Sequence, residues 1–129
     1  MNVERVALLE ETLRAGSFKA NGETIVFDMN RMIFILDDYD VRACIIGFAY
    51  ILATGEIKKI NPYSQECTDA VTTVAEWLDI DIELLMQIGF PQFSMSYNIV
   101  EAEAAADYLH AILFEKKNPV DVTYLLHSD

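Results

Sequence analysis

Gln65-Glu66-Cys67-Thr68-Asp69-Ala70-Val71-Thr72-Thr73-Val74-Ala75-Glu76-Trp77-Leu78 has the cleanest periodicity in the chain. Cys67, Ala70, Val71, Val74, Trp77 and Leu78 share one helical face. Gln65, Glu66, Asp69, Thr72, Thr73 and Glu76 share the other. Apolar residues at a 3.6-residue period argue an amphipathic helix with one face on a core. Downstream, Asp81 is placed to cap a short helix over about 82–88, closed by Gly89.

Upstream, Val41, Cys44, Ile45, Phe48, Ile51 and Leu52 form a stripe over about 41–54. Ile46, Gly47, Tyr50 and Ala53 make the opposite side apolar too. A helix apolar all round is normally central and buried. Asp38 or Asp40 would cap it, and Gly55 would end it. Before it, Thr24–Asp28 and Met32–Leu36 are short, β-branched and aromatic. The polar break Asp28-Met29-Asn30-Arg31 separates them and predicts a hairpin. The first helix spans 2–15, with Val3, Val6, Leu9 and Leu13 at helical spacing, Asn2 as N-cap and Gly16 as stop. Glu10 and Arg14 stand four apart in the favourable order.

Toward the C-terminus, Asn98 and Glu101 fit a capping box for the longest helix, 99–117. Its centre is rich in alanine, a strong helix former. Lys116 and Lys117 suit the negative end of its dipole. Asn118-Pro119 restarts a last helical turn or two, with Pro at the first helical position. The expected fold is α+β and predominantly helical: about five helices with one small β-hairpin, in a single globular domain over 1–129.

The formal net charge is −12, from 21 acids against nine Lys and Arg. No Lys or Arg occurs between Ile60 and Glu115, a stretch that carries Glu66, Asp69, Glu76, Asp79, Asp81, Glu83, Glu101, Glu103, Asp107 and Glu115. Phosphate affinity depends on cationic side chains, so direct nucleic-acid binding is disfavoured. An anionic membrane is disfavoured on the same ground. The apolar run Ala43–Ala53 is about half of a bilayer span, and Met1–Arg5 shows no targeting pattern. Two cysteines without a CxxC give no disulfide framework, which makes a reducing cytoplasm the expected setting.

Candidate chemistry is sparse. A Cys44 near a helix N-terminus could be an activated thiol with His110 as base, but it sits in the densest apolar stripe, where cysteine behaves as a small hydrophobe. Asp37, Asp38 and Asp40 could meet a hard cation, but they lack EF-hand spacing and suit a helix N-terminus better. Glu103, Asp107 and His110 share a helical face and read as a solvated polar surface. No Gly-rich phosphate loop, GxSxG or HExxH is present. The expectation is therefore no catalytic residue, no metal and no cofactor.

The stretch Phe90-Pro91-Gln92-Phe93-Ser94-Met95-Ser96-Tyr97 is unusually apolar for a loop. Phe90, Phe93, Met95 and Tyr97, with Glu101, Glu103 and Asp107 beyond them, are the expected partner-binding residues. Packing back over the core is the competing use of the aromatic side chains.

Three phrases carry a resemblance: Leu13-Arg14-Ala15-Gly16-Ser17-Phe18-Lys19, then Ala43-Cys44-Ile45-Ile46-Gly47, then Ala75-Glu76-Trp77-Leu78-Asp79-Ile80. Their order and spacing over about 8–113 resemble a group of small, uncharacterised tailed-bacteriophage proteins. Ala43 departs from a common second Cys of that pattern, and Asp79 from a Gly. The resemblance implies a phage origin and a host factor as partner; it brings no activity with it. The expected function is a non-enzymatic acidic module that binds another protein. The alternatives are an acidic nucleic-acid mimic that inhibits a nucleic-acid-handling enzyme, a self-associating structural protein such as a homodimer, and a cysteine-dependent enzyme.

Overall fold

The computed structural model describes residues 1–35, 40–90 and 100–126, with backbone only for Phe34 and Asp40. Among the described residues, five α-helices, four strands and a closing 3-10 helix follow in the order α1 Val3–Ala15, β1 Ser17–Ala20, β2 Glu23–Phe27, β3 Ile33–Ile35, β4 Asp40–Ala43, α2 Ile45–Thr54, α3 Gln65–Leu78, α4 Ile82–Gly89, α5 Ala102–Leu113 and the 3-10 helix Pro119–Leu126. The predominantly helical α+β architecture is as the sequence predicts.

The helix ends follow local chemistry. Asn2 accepts from the Arg5 amide, Ser64 from Cys67 and Asp81 from Glu83, each satisfying an amide that the helix leaves open. Gly16 closes α1 in the left-handed region and donates to Leu13. At the far end of α5, the Lys116 ammonium donates to the Leu113 carbonyl at 2.9 Å.

The sheet differs from the expected hairpin. Its order is β1-β2-β4-β3: β1 and β2 are antiparallel, β2 and β4 parallel, β4 and β3 antiparallel. The stretches 24–28 and 32–36 do not pair with each other, because β4 lies between them. The hairpin is β1–β2, turning at Asn21-Gly22, where φ is +50° and +81°. Two successive positive φ values match the twist of a two-residue hairpin turn, and Asn-Gly is the pair that adopts them most readily. The Asn21 side-chain amide also donates to the Gly55 carbonyl, tying the turn to the end of α2.

The expected helix over 41–54 is shorter. Its first residues form β4, with Val41 opposite Ile25 and Ile35, and α2 begins at Ile45. The N-cap position is therefore held by Cys44, without a side-chain cap, and not by Asp38 or Asp40. Asp38 lies outside the described residues. The long helix is also shorter than 99–117: Glu101 stands at its N-cap position without a capping side chain, and Asn98 lies outside the described residues. Gly89 is the last residue of α4, and the cap is Phe90.

One continuous cluster forms the core. At its centre α2 is buried from Ile45 to Ile51. Phe48 meets Phe18 and Phe27 of the sheet edge-on, with centroids 4.9 and 5.8 Å away. Helix α1 contributes Val6, Leu9 and Leu13; α3 and α4 contribute Val71, Val74, Leu78, Leu85 and Ile88; α5 contributes Tyr108 and Leu109.

Candidate functional site

Helices α3 and α4 are joined by the tight link Asp79-Ile80-Asp81, in which Asp79 takes a left-handed φ of 55°. The link folds α4 back on α3, and α4 turns Leu85, Ile88 and Gly89 into the core. A Cβ on Gly89 would lie 2.1 Å from the Ile46 side chain, so α4 sits close against α2. That placement leaves a second stripe of α4 facing outward. Ile82, Met86 and Phe90 are spaced one turn apart, and each is about two-fifths exposed.

These three side chains form one wall of an apolar groove of about 400 Å³. Cys67, Thr68 and Val71 of α3 form the other wall. Pro62 and Tyr63 close one end, and Tyr63 is 95% exposed. Single exposed apolar side chains are ordinary; several converging on one concavity are the feature that marks binding surfaces. Among the described lining residues the only charge is Glu83. Cys67 is a buried part of the wall, and burial pushes its thiol up from the ordinary range.

Phe90 is the one apolar residue of the expected 90–97 surface that falls within the described residues, and it belongs to this groove. Phe93, Met95 and Tyr97 lie outside them. Glu101 and Glu103 are exposed at the start of α5. Asp107 pairs with Arg14 of α1 at 2.8 Å, and Arg14 also meets Glu10 at 3.4 Å. His110 Nδ1 lies 2.6 Å from the same Glu10, and its Nε2 lies 3.9 Å from Glu115. Asp107 and His110 thus serve a polar seam between α1 and α5. The seam is partly exposed, where such pairs are worth less than about 1 kcal/mol each.

The Cys44–His110 pairing does not form. The Cys44 sulfur contacts Met32 Sδ at 3.9 Å, whereas both ring nitrogens of His110 face carboxylates. Burial pushes the Cys44 thiol up to about 11, outweighing the amides of Gly47 and Ile46 that favour its thiolate. At pH 8 only about one thiol in a thousand is then ionised, and the thiolate is the reactive form. Iodoacetamide should leave Cys44 unmodified until the chain unfolds; rapid labelling of the folded protein would contradict this placement. The raised value also sets a pH trend. The unfolded thiol ionises first, so its contribution to stability is complete below about pH 9 and fades as pH climbs toward about 11.

Asp37 lies outside the described residues, and Asp40 is described only as the β4 residue opposite Thr24. Among the described residues no group of three His, Cys, Asp or Glu side chains is placed to hold a metal ion. No helix among them is long and apolar enough to cross a membrane. Among the described residues no charged side chain is buried.

Tyr63, Ile82 and Met86 are not among the residues the sequence pattern singles out. The available signal was the spacing of Ile82, Met86 and Phe90 at i, i+4 and i+8, a stripe distinct from Leu85 and Ile88. No family model, curated protein or solved structure matches the chain.

Proposed function

We propose that this chain is a non-enzymatic acidic module that binds another protein, with the groove between α3 and α4 as its contact surface. The observation that carries the reading is the convergence of Tyr63, Ile82, Met86 and Phe90, all exposed, on one apolar concavity. Interfaces draw their affinity from aromatic and Met anchors of this kind, seated at the centre of a desolvated patch. The buried, protonated thiol of Cys44 supports a binding role over cysteine chemistry. The resemblance to tailed-phage proteins extends the proposal: the partner is a host protein, met in the cytoplasm, whose activity the module modulates.

A nucleic-acid mimic is the second reading, favoured by the absence of Lys and Arg from Ile60 to Glu115. The two readings part on salt. An apolar groove keeps its partner at high ionic strength, whereas a mimic held by charge alone releases it.

The test is a parallel pull-down from host lysate with wild-type protein and the Met86→Asp variant, washed at low and high salt. Met86 is nearly half exposed, so the variant keeps its fold. A protein retained by the wild type through the high-salt wash and lost by the variant is the expected result. Identical capture by both proteins would remove the groove from the interaction. Loss of all capture at high salt would favour the mimic.

A further inference from the structure

We infer that the groove accepts a basic amphipathic helix of the partner, laid along α4 with its apolar stripe against Ile82, Met86 and Phe90. The inference rests on the proposed protein-binding role and names the chemistry of the occupant.

The shape argues for a helix. From Ile82 to Phe90 the groove wall runs about 12 Å, with an apolar side chain at each turn. A helix placed alongside offers its own side chains at i, i+4 and i+7, with matching steps of about 5–6 Å. An extended strand repeats its same-face side chains every ~6.6 Å and relies on a free sheet edge for main-chain hydrogen bonds. Both long walls here are helices, whose backbone groups are already paired.

The charge argues for a basic sequence. Glu83 lines the groove. Asp81 is exposed at the start of α4, and Asp79 is exposed on the link, where it pairs with the Met1 ammonium at 3.2 Å. Asp69 and Glu76 lie on the outer side of α3, away from the groove, and add only to the general negative field. Helices α3 and α4 bring no Lys or Arg of their own, since none occurs between Ile60 and Glu115. Arg5 of α1 reaches the end of α3, where it donates to the Trp77 carbonyl at 2.9 Å. Lys58, just before that stretch, pairs with Glu56 and Glu66. A second copy of the chain would bring the same acidic rim, and a net charge of −12, against itself. Lys or Arg flanking an apolar stripe would instead complete both the charge and the apolar contact, with their aliphatic stems lying over the groove edge.

The experiment is a selection of random peptides about 16 residues long, roughly four turns of helix, against the immobilised full chain. The peptides with the highest enrichment are then titrated into protein carrying ¹³C-methyl methionine. Enriched peptides should combine apolar residues at i, i+4 and i+7 with an excess of Lys and Arg. They should gain helical circular dichroism on binding and shift the Met86 methyl resonance. Glu83→Lys should weaken them about tenfold, and Met86→Asp should abolish binding with an unchanged melting temperature.

Peptides that move the Met86 methyl but are acidic, neutral or extended would overturn the basic-helix inference and leave the protein-binding role standing. A selection that yields nothing, or only binders that leave Met86 in place, would overturn both. A Met86 shift that depends on protein concentration alone would assign the groove to a second copy. Occupation by the chain's own residues 91–99 would show in the free protein as contacts from Met95 to Met86, and would likewise overturn the inference.

Discussion

Replacing Gly47 by alanine is expected to remove at least about 3 kcal/mol of stability, at the upper end of overpacking effects. Alanine in a helix interior ordinarily gains about 1 kcal/mol over glycine. Here the sign reverses, because a Cβ at Gly47 would sit 1.8 Å from the Met32 carbonyl oxygen and 2.7 Å from the Ala43 Cβ. The obstacle is backbone, so no rotamer change relieves it. Either α2 or the 29–33 segment must move, and both carry core residues. Gly89→Ala is the control. Its nearest neighbour is the flexible end of Ile46, at 2.1 Å, and side-chain repacking limits the cost to about 1–2 kcal/mol. Urea unfolding of the two variants beside the wild type measures the difference. A Gly47→Ala protein within 1 kcal/mol of wild type would mean that α2 lies further from Met32 than the structure shows.

Phe48→Ala should cost about 3–5 kcal/mol, against a total of about 5–15 kcal/mol for an ordinary domain. The ring is fully buried and packs α2 against the β1–β2 hairpin. Removing it opens a cavity and also breaks the edge-on contacts with Phe18 and Phe27. Those two rings are only partly buried, so they cannot close the space without drawing the β1–β2 hairpin inward. Phe48→Leu keeps most of the volume and should lose about half as much. Equal midpoints for the alanine and leucine variants would show that the pocket collapses freely.

Helix α3 was legible because fourteen residues show four turns of one period, and a competing strand pattern would need strict alternation. The sheet was less legible because three- to five-residue strands carry too few positions to fix a partner. Sequence adjacency suggested pairing 24–28 with 32–36, yet β4 inserts between them, and nothing local in Asp40–Ala43 announces a parallel neighbour. Val41, Cys44 and Ile45 also fit a helical stripe, so the strand was absorbed into α2. The decisive hairpin signal is Asn21-Gly22, a two-residue turn that sits between two short strands rather than between the two most apolar ones. The site was hidden for a different reason. With Leu85 and Ile88 on one side and Ile82, Met86 and Phe90 on the other, α4 is apolar nearly all round, which ordinarily means burial on every face. Only the positions of α2 and α3 reveal which half α4 keeps exposed. Of the surface expected at 90–97, Phe90 lies in the groove, while Phe93, Met95 and Tyr97 lie outside the described residues; Glu101, Glu103 and Asp107 lie on α5 or at its start.

The seam between α1 and α5 joins residues a hundred positions apart, as in the pair Glu10 and His110. A ribosome adds about 5–20 residues per second. Helix α1 therefore emerges roughly 5–20 s before its main packing partner exists, with Val6, Leu9 and Leu13 unsheltered by α5 for that interval. Helices α2 and α3 cover part of that face as they emerge, and α5 closes the rest, so the interval in which α1 stays partly open lengthens as translation slows.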